Sequence, residues 1–197
     1  MTISPEYLRR PRLVVMIKEP HAGRVKTRLG RDIGMTAAAW WFRHQSASLL
    51  RRITDPRWET FLAITPDKQG LTSRIWPENL PRIAQGSGNL GQRMARVFTQ
   101  LPPGPALIIG ADIPGIRTTH ITRAFRKLGA HDAVFGPATD GGFWLVGLKR
   151  TFAPPVTLFE NVRWSTPHAL NDTVRTMPDL RIAFTDVLAD VDTARDL

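Results

Sequence analysis

Short apolar runs alternate with longer amphipathic stretches along this chain. Residues 13–17 (LVVMI), 61–64, 106–109 (ALII) and 133–135 are each bounded by Gly, Pro or charge. This is the pattern of strands buried on both faces of a parallel sheet. A fifth strand is predicted over 143–148 (FWLVGL), after a Gly-Gly turn, and a sixth over 182–187. Helical spacing is seen over 36–53, 90–101, 118–128 and 166–177. Thr36 is available to cap the first of these, and Pro167 sits in the first turn of the last, where its missing N–H costs nothing. Strand and helix in alternation imply an α/β fold with a mostly parallel sheet and right-handed crossovers. No repeat or low-complexity tract is seen, 102–105 (PPGP) is too short for a domain linker, and 150–165 is irregular, either a lid or acceptor loop or a surface loop.

Composition narrows this picture. The 197 residues suit one domain, with 42% hydrophobic and 22% charged residues, as in ordinary globular proteins. Without cysteine there is neither disulfide nor thiolate metal site. No apolar run is long enough for a bilayer, and the first residues lack the order of a signal peptide, so a cytoplasmic location is expected. A net charge of +10 suits polyanionic partners, from nucleic acid to phosphorylated small molecules. The arginines are spread along the chain, and no nucleic-acid-binding motif accompanies them.

In open α/β sheets ligands bind beyond the carboxyl ends of the strands, so the residues after each strand carry the candidate chemistry. After the first strand, Lys18, Gly23, Arg24, Lys26 and Arg28 combine a permissive glycine with four cations, a set suited to a diphosphate. The spacing is not that of a Walker A loop. Asp112 follows ALIIG and is placed to hold a hard cation, Mg²⁺ or Mn²⁺, or else to cap a turn. Asp140, Gly141 and Gly142 follow the fourth strand. Asp140 is a candidate metal ligand, sugar-hydroxyl acceptor or general base, or the polar residue of a hairpin turn. The loop 85–93, with Gly86 and Arg93, opens a helix and either cradles phosphate or simply connects. Asp192, in Asp190-Val191-Asp192-Thr193, is either a metal ligand or, with Thr193, a cap for a short last helix, leaving Arg195 and Asp196 exposed. Trp40 and Trp41 are read as packing, as are Trp144 and Trp164, although the latter pair flanks the inferred cleft. The five histidines show no metal-ligand spacing, and no Gly-x-Ser-x-Gly elbow is present.

Six ordered strings, KEPHAGRVKTRL, QGSGNLGQRM, IIGADIP, GPATDGGFWLVGL, WSTP and DVDTARDL, together resemble one family. It is a bacterial family of small GT-A-type transferases, described as a domain of unknown function and as nucleotide-diphospho-sugar (glycosyl) transferase-like or selenodomain-associated transferases. More distantly the chain is similar to phospholactate and molybdenum-cofactor guanylyltransferases. The resemblance spans 13–197 and implies a single Rossmann-like GT-A domain over 1–197. By motif, Gly23, Lys26 and Arg28 match the nucleotide loop, Asp112 the metal-binding aspartate, and Asp140, Gly141 and Gly142 a second cleft motif. The sequence departs from the family pattern at Ala111 and Ile113, where Thr and Ser are usual, and at Ala194 and Arg195, where Pro and Glu are usual.

The expectation is a Mg²⁺- or Mn²⁺-dependent transferase with a nucleotide-diphospho-sugar donor and a small-molecule acceptor. Lys18, Lys26 and Arg28 would hold phosphates, with Asp112 at the metal and Asp140 holding or activating the acceptor. A nucleotidyltransferase releasing pyrophosphate from an NTP would use the same loops. A noncatalytic nucleotide sensor or basic scaffold is the reading from another class.

Overall fold

The computed structural model describes residues 10–196. Seven strands form one sheet in the order β3-β2-β1-β4-β6-β5-β7. They are β1 (Arg12–Lys18), β2 (Glu59–Thr65), β3 (Arg82–Ala84), β4 (Ala106–Gly110), β5 (Ala133–Pro137), β6 (Phe143–Leu148) and β7 (Ile182–Phe184). All run parallel except β6, which lies antiparallel between β4 and β5. The helices are α1 (Thr27–Ile33), α2 (Met35–Ile53), α3 (Asp67–Leu71), α4 (Leu90–Gln100), α5 (Thr118–Ala130) and α6 (Ala169–Arg175). A 3₁₀ turn covers Ala194–Asp196.

Side chains alternate across the sheet, as the period of two in a strand requires. Leu13, Val15 and Ile17 of β1 face the layer of α2 and α5, packing with Phe42, Leu49, Ile121 and Leu128. Val14 faces the other way, into a second core with Val97 and Phe98 of α4, Phe159 and Met177. Both faces are thus covered, and the β1 residues from Leu13 to Val15 are wholly buried. That double cover is why the strands read as continuous apolar runs rather than alternating ones.

The structure departs from the sequence reading in several places. The cationic loop after β1 is shorter than expected, because α1 begins at Thr27. Its seven residues contain one glycine and are followed by Gly34, too short for a helical period to stand out. Gly34, at φ 92°, takes the N-cap of α2, so Thr36 lies exposed inside that helix and caps nothing. The last helix runs only from Ala169 to Arg175, leaving Pro167 in the turn before it. β7 stops at Phe184, although Leu188 N still donates to Pro137 O and extends the edge by one bridge. Trp40 is not a packing residue: it is 54% exposed and lies against Arg43 and His44, whereas Trp41 packs on the core. Among the described residues no helix is long and apolar enough to cross a membrane.

Candidate functional site

Because six of the seven strands run the same way, their carboxyl ends meet at one edge of the sheet. Lys18 ends β1 there, Asp112 follows β4, Asp140 to Gly142 follow β5, and the segment with Asp192 follows β7. Four regions far apart in the sequence are therefore brought to one edge by topology.

At the centre is Lys26. Its ammonium donates to Asp112 Oδ2 at 2.9 Å and to Asp192 Oδ1 at 3.2 Å. Arg28 Nη1 donates to the other Asp192 oxygen at 2.9 Å. The Lys26 side chain is 6% exposed, against 37% for Asp112 and 39% for Asp192. Burial alone would lower the pKa of Lys26; the Asp112 and Asp192 carboxylates outweigh it, so the pKa is raised and the group stays charged. Lys26 reaches this position from φ 44°, ψ 49°, a left-handed backbone that costs a residue with a side chain about 1–2 kcal/mol. Strain of this kind persists where the surroundings over-determine it, often at functional sites.

The loop before it holds Gly23 at φ 74°, with nothing within 4 Å of where a Cβ would stand. Its backbone is open to an approaching ligand. The loop is anchored at its start, where Glu19 N donates to Thr65 O and the buried Glu19 side chain accepts from Trp76 Nε1 at 3.0 Å.

Gly86 lies in the loop between β3 and α4 and Arg93 near the start of α4, and both make contacts within this segment. The Arg96 guanidinium packs over the Cα of Gly86 and donates to Gln85 O and Ser87 O, at 2.6 and 3.0 Å. Arg93 Nε donates to Gly88 O, bracing its own loop. Asn89 caps α4 in a reciprocal pair with Gln92. A cleft of about 660 Å³ opens between Ser87–Asn89 and the loop with Leu158, Phe159 and Asn161. Part of 150–165, expected as a lid or acceptor loop or a surface loop, thus lines the cleft through Val156, Leu158, Phe159, Glu160 and Asn161.

Asp140 accepts from Gly142 N at 2.9 Å, so it does shape its own hairpin turn. Gly141, at φ 86°, is required by a neighbour in the chain: a Cβ there would lie 2.6 Å from Pro167 Cα. Gly141 O accepts from Leu170 N, docking the hairpin on α6. Trp144 is buried, donating from Nε1 to Asp186 O, and Trp164 packs with Phe143 and Phe159; both serve packing.

Asp196, expected to be merely exposed, caps the last turn by accepting from Asp192 N and Thr193 N. Asp192 is thereby freed to face Lys26 and Arg28. Asp190 was missed: its pKa is raised by burial first, then by Asp192, Asp112 and Asp140, so it belongs to the same acidic group. The signal was its spacing, two positions before Asp192.

The donor set suits a hard cation. Asp112 and Asp192 face one point, marked by the Lys26 ammonium, and both offer carboxylate oxygens. Among the described residues no three His, Cys or acidic side chains converge as a metal site. Two carboxylates are what Mg²⁺ commonly takes from protein, completing its shell with phosphate and water.

Residues 49–166 match the family described as "Uncharacterized protein conserved in bacteria (DUF2064)". The chain belongs to this family. No curated protein matches it. A solved structure from Desulfovibrio desulfuricans G20, provisionally named a nucleotide-diphospho-sugar transferase, is similar over 94% of this chain and 83% of its own. Its TM-score is 0.80, at 26% identity. The 4-diphosphocytidyl-2C-methyl-D-erythritol synthase of Anaerococcus prevotii DSM 20548 shares the fold at TM-score 0.55 and 10% identity, over 96% of this chain and 95% of its own. Rv0371c of Mycobacterium tuberculosis H37Rv, in complex with manganese, does so at 0.56 and 14%, over 95% of both chains. The mostly parallel sheet of this DUF2064 member is therefore of the nucleotide-sugar transferase type.

Proposed function

We propose that this protein is a metal-dependent transferase using a nucleotide-diphospho-sugar donor. The observation that carries the reading is the meeting of Lys26 and Arg28 with Asp112 and Asp192, beside an open glycine loop, at the carboxyl edge of the sheet. The name given to the Desulfovibrio structure supports it.

Asp112 and Asp192 would hold Mg²⁺ or Mn²⁺. Such an ion, when bound, neutralises a diphosphate and stabilises it as a leaving group. The backbone at Gly23 and the cations Lys18, Lys26 and Arg28 would bind the phosphates. The cleft beside Gly86 and Asn89 would receive the nucleoside. Asp140 would take the proton of an acceptor hydroxyl as its oxygen bonds to the sugar carbon. The sugar–phosphate bond would break with its electron pair on the departing nucleoside diphosphate.

A second reading is nucleotidyl transfer, favoured by the charge of the first loop. Lys18, Arg24, Lys26 and Arg28 carry four positive charges within eleven residues, enough for a triphosphate. The acceptor phosphate would then attack the α-phosphorus, with pyrophosphate leaving.

A thermal-shift panel of nucleoside diphosphates, nucleotide sugars and NTPs, with and without Mg²⁺ or Mn²⁺, tests both. A ligand at 100 times its Kd adds about 2.7 kcal/mol. Metal-dependent stabilisation by a nucleotide sugar, lost in Asp112→Asn, is the expected result. A response to NTPs alone selects nucleotidyl transfer. No response to any nucleotide sinks both readings and leaves a noncatalytic role.

A further inference from the structure

We infer that Lys26 is a movable counter-ion that competes with a divalent cation for Asp112 and Asp192, and that phosphate groups relieve the competition by drawing its ammonium away. The inference rests on the reading of this edge as a metal–diphosphate site, and deepens it into a rule for how the two ligands influence each other.

The geometry sets up the exchange. One nitrogen touches both carboxylates, at 2.9 and 3.2 Å, so they share a single focal point. A cation using both oxygens must take that point, and two positive charges cannot share it. The two carboxylates are more than a third exposed and approachable from solvent, while the lysine stem lies beneath them. That stem is flexible and its charge compact, which suits a swing between partners.

The neighbouring residues divide the labour. Arg28 grips the Asp192 oxygen that Lys26 does not use, so Asp192 keeps its place when the ammonium leaves. The open backbone at Gly23 lies three residues before Lys26, where a phosphate would sit within the same loop. The left-handed backbone of Lys26 aims its side chain at the carboxylates from the start of α1.

Two ligands that each relieve the other's cost bind with positive coupling. Mn²⁺ alone should therefore bind weakly, and phosphate should strengthen it through Lys26.

The test is Mn²⁺ titration followed by electron paramagnetic resonance, on wild type, Lys26→Met, Lys26→Gly and Asp112→Asn, with and without inorganic phosphate. Lys26→Gly suits the left-handed backbone and guards against a variant that does not fold. Couplings between sites usually span about 5–150-fold, so both Lys26 variants should bind Mn²⁺ about tenfold more tightly than wild type. Inorganic phosphate should narrow that gap by tightening the wild type alone. Equal or weaker Mn²⁺ binding by the Lys26 variants overturns the inference. If Asp112→Asn still loses Mn²⁺ in that case, the metal site itself stands. A gap that phosphate leaves unchanged overturns the exchange. Absence of Mn²⁺ binding in every variant overturns the inference and the metal reading together.

Discussion

Trp76 donates its indole N–H to the side chain of Glu19 at 3.0 Å, and both residues are almost wholly buried. Glu19 is the residue at which the chain leaves β1 for the glycine-and-lysine loop. The bond therefore anchors that loop to a segment 57 positions away. Trp76→Phe keeps most of the apolar contact and removes the donor. It should cost about 1–3 kcal/mol, the usual penalty for a buried polar atom left without a partner. Thermal or urea unfolding reads the loss, and hydrogen exchange should show residues 19–25 opening first. Unchanged stability would mean that water replaces the indole.

Asp190 gives a pH dependence of unusual sign. Burial and the neighbouring carboxylates raise its pKa above 3.8, so the folded state holds this proton more tightly than the unfolded chain. Its contribution is present below 3.8 and is lost as pH rises through the raised value. Asp190→Asn should raise Tm at pH 7 in EDTA, and the gain should vanish near pH 3. A gain that is the same at both pH values would exclude charge as its cause.

Asp172 works in the opposite direction. Hydrogen bonds from the Arg163 side chain hold its carboxyl well below the ordinary carboxylate range, and Arg163 N also donates to it. Its stabilisation is complete above 3.8 and fades as pH falls below that value. Asp172→Asn should lower Tm at pH 7, with the deficit shrinking toward pH 2. Because Arg163 belongs to the loop that walls the cleft, limited proteolysis should cut that loop faster in the variant.

Gly141→Ala should destabilise by about 2 kcal/mol or more, since φ 86° disfavours a side chain and the Pro167 backbone blocks the Cβ. Chemical denaturation measures this. A loss under 0.5 kcal/mol would mean that the hairpin and α6 shift apart without cost.

The layering of this protein was legible because its strands are covered on both faces. Residues 13–17, 106–109 and 143–148 fall within β1, β4 and β6. Lys26, Asp112 and Asp192 stood out in the sequence as charged residues following strands, and the fold brings their side chains together. Less could be read where tertiary contacts decide. That Gly141 clears Pro167 and Gly86 clears Arg96 is set by the fold and could not be read from the glycines alone. The short helix α1 carries too few residues to display a period. Asp190 becomes chemically distinct only when Asp112, Asp140 and Asp192 are folded around it.

The ion pair between Lys26 and Asp192 spans 166 positions, and Ala194 N closes the same region by donating to Asp32 across 162. On a ribosome adding about 5–20 residues per second, Lys26 is made roughly ten to thirty seconds before its partner exists. Through that interval the sheet's early strands can pair and the glycine loop can form, yet Lys26 lacks one of its two carboxylate partners. The cluster around Lys26 is therefore completed only once Asp192, which follows the end of β7, has been made.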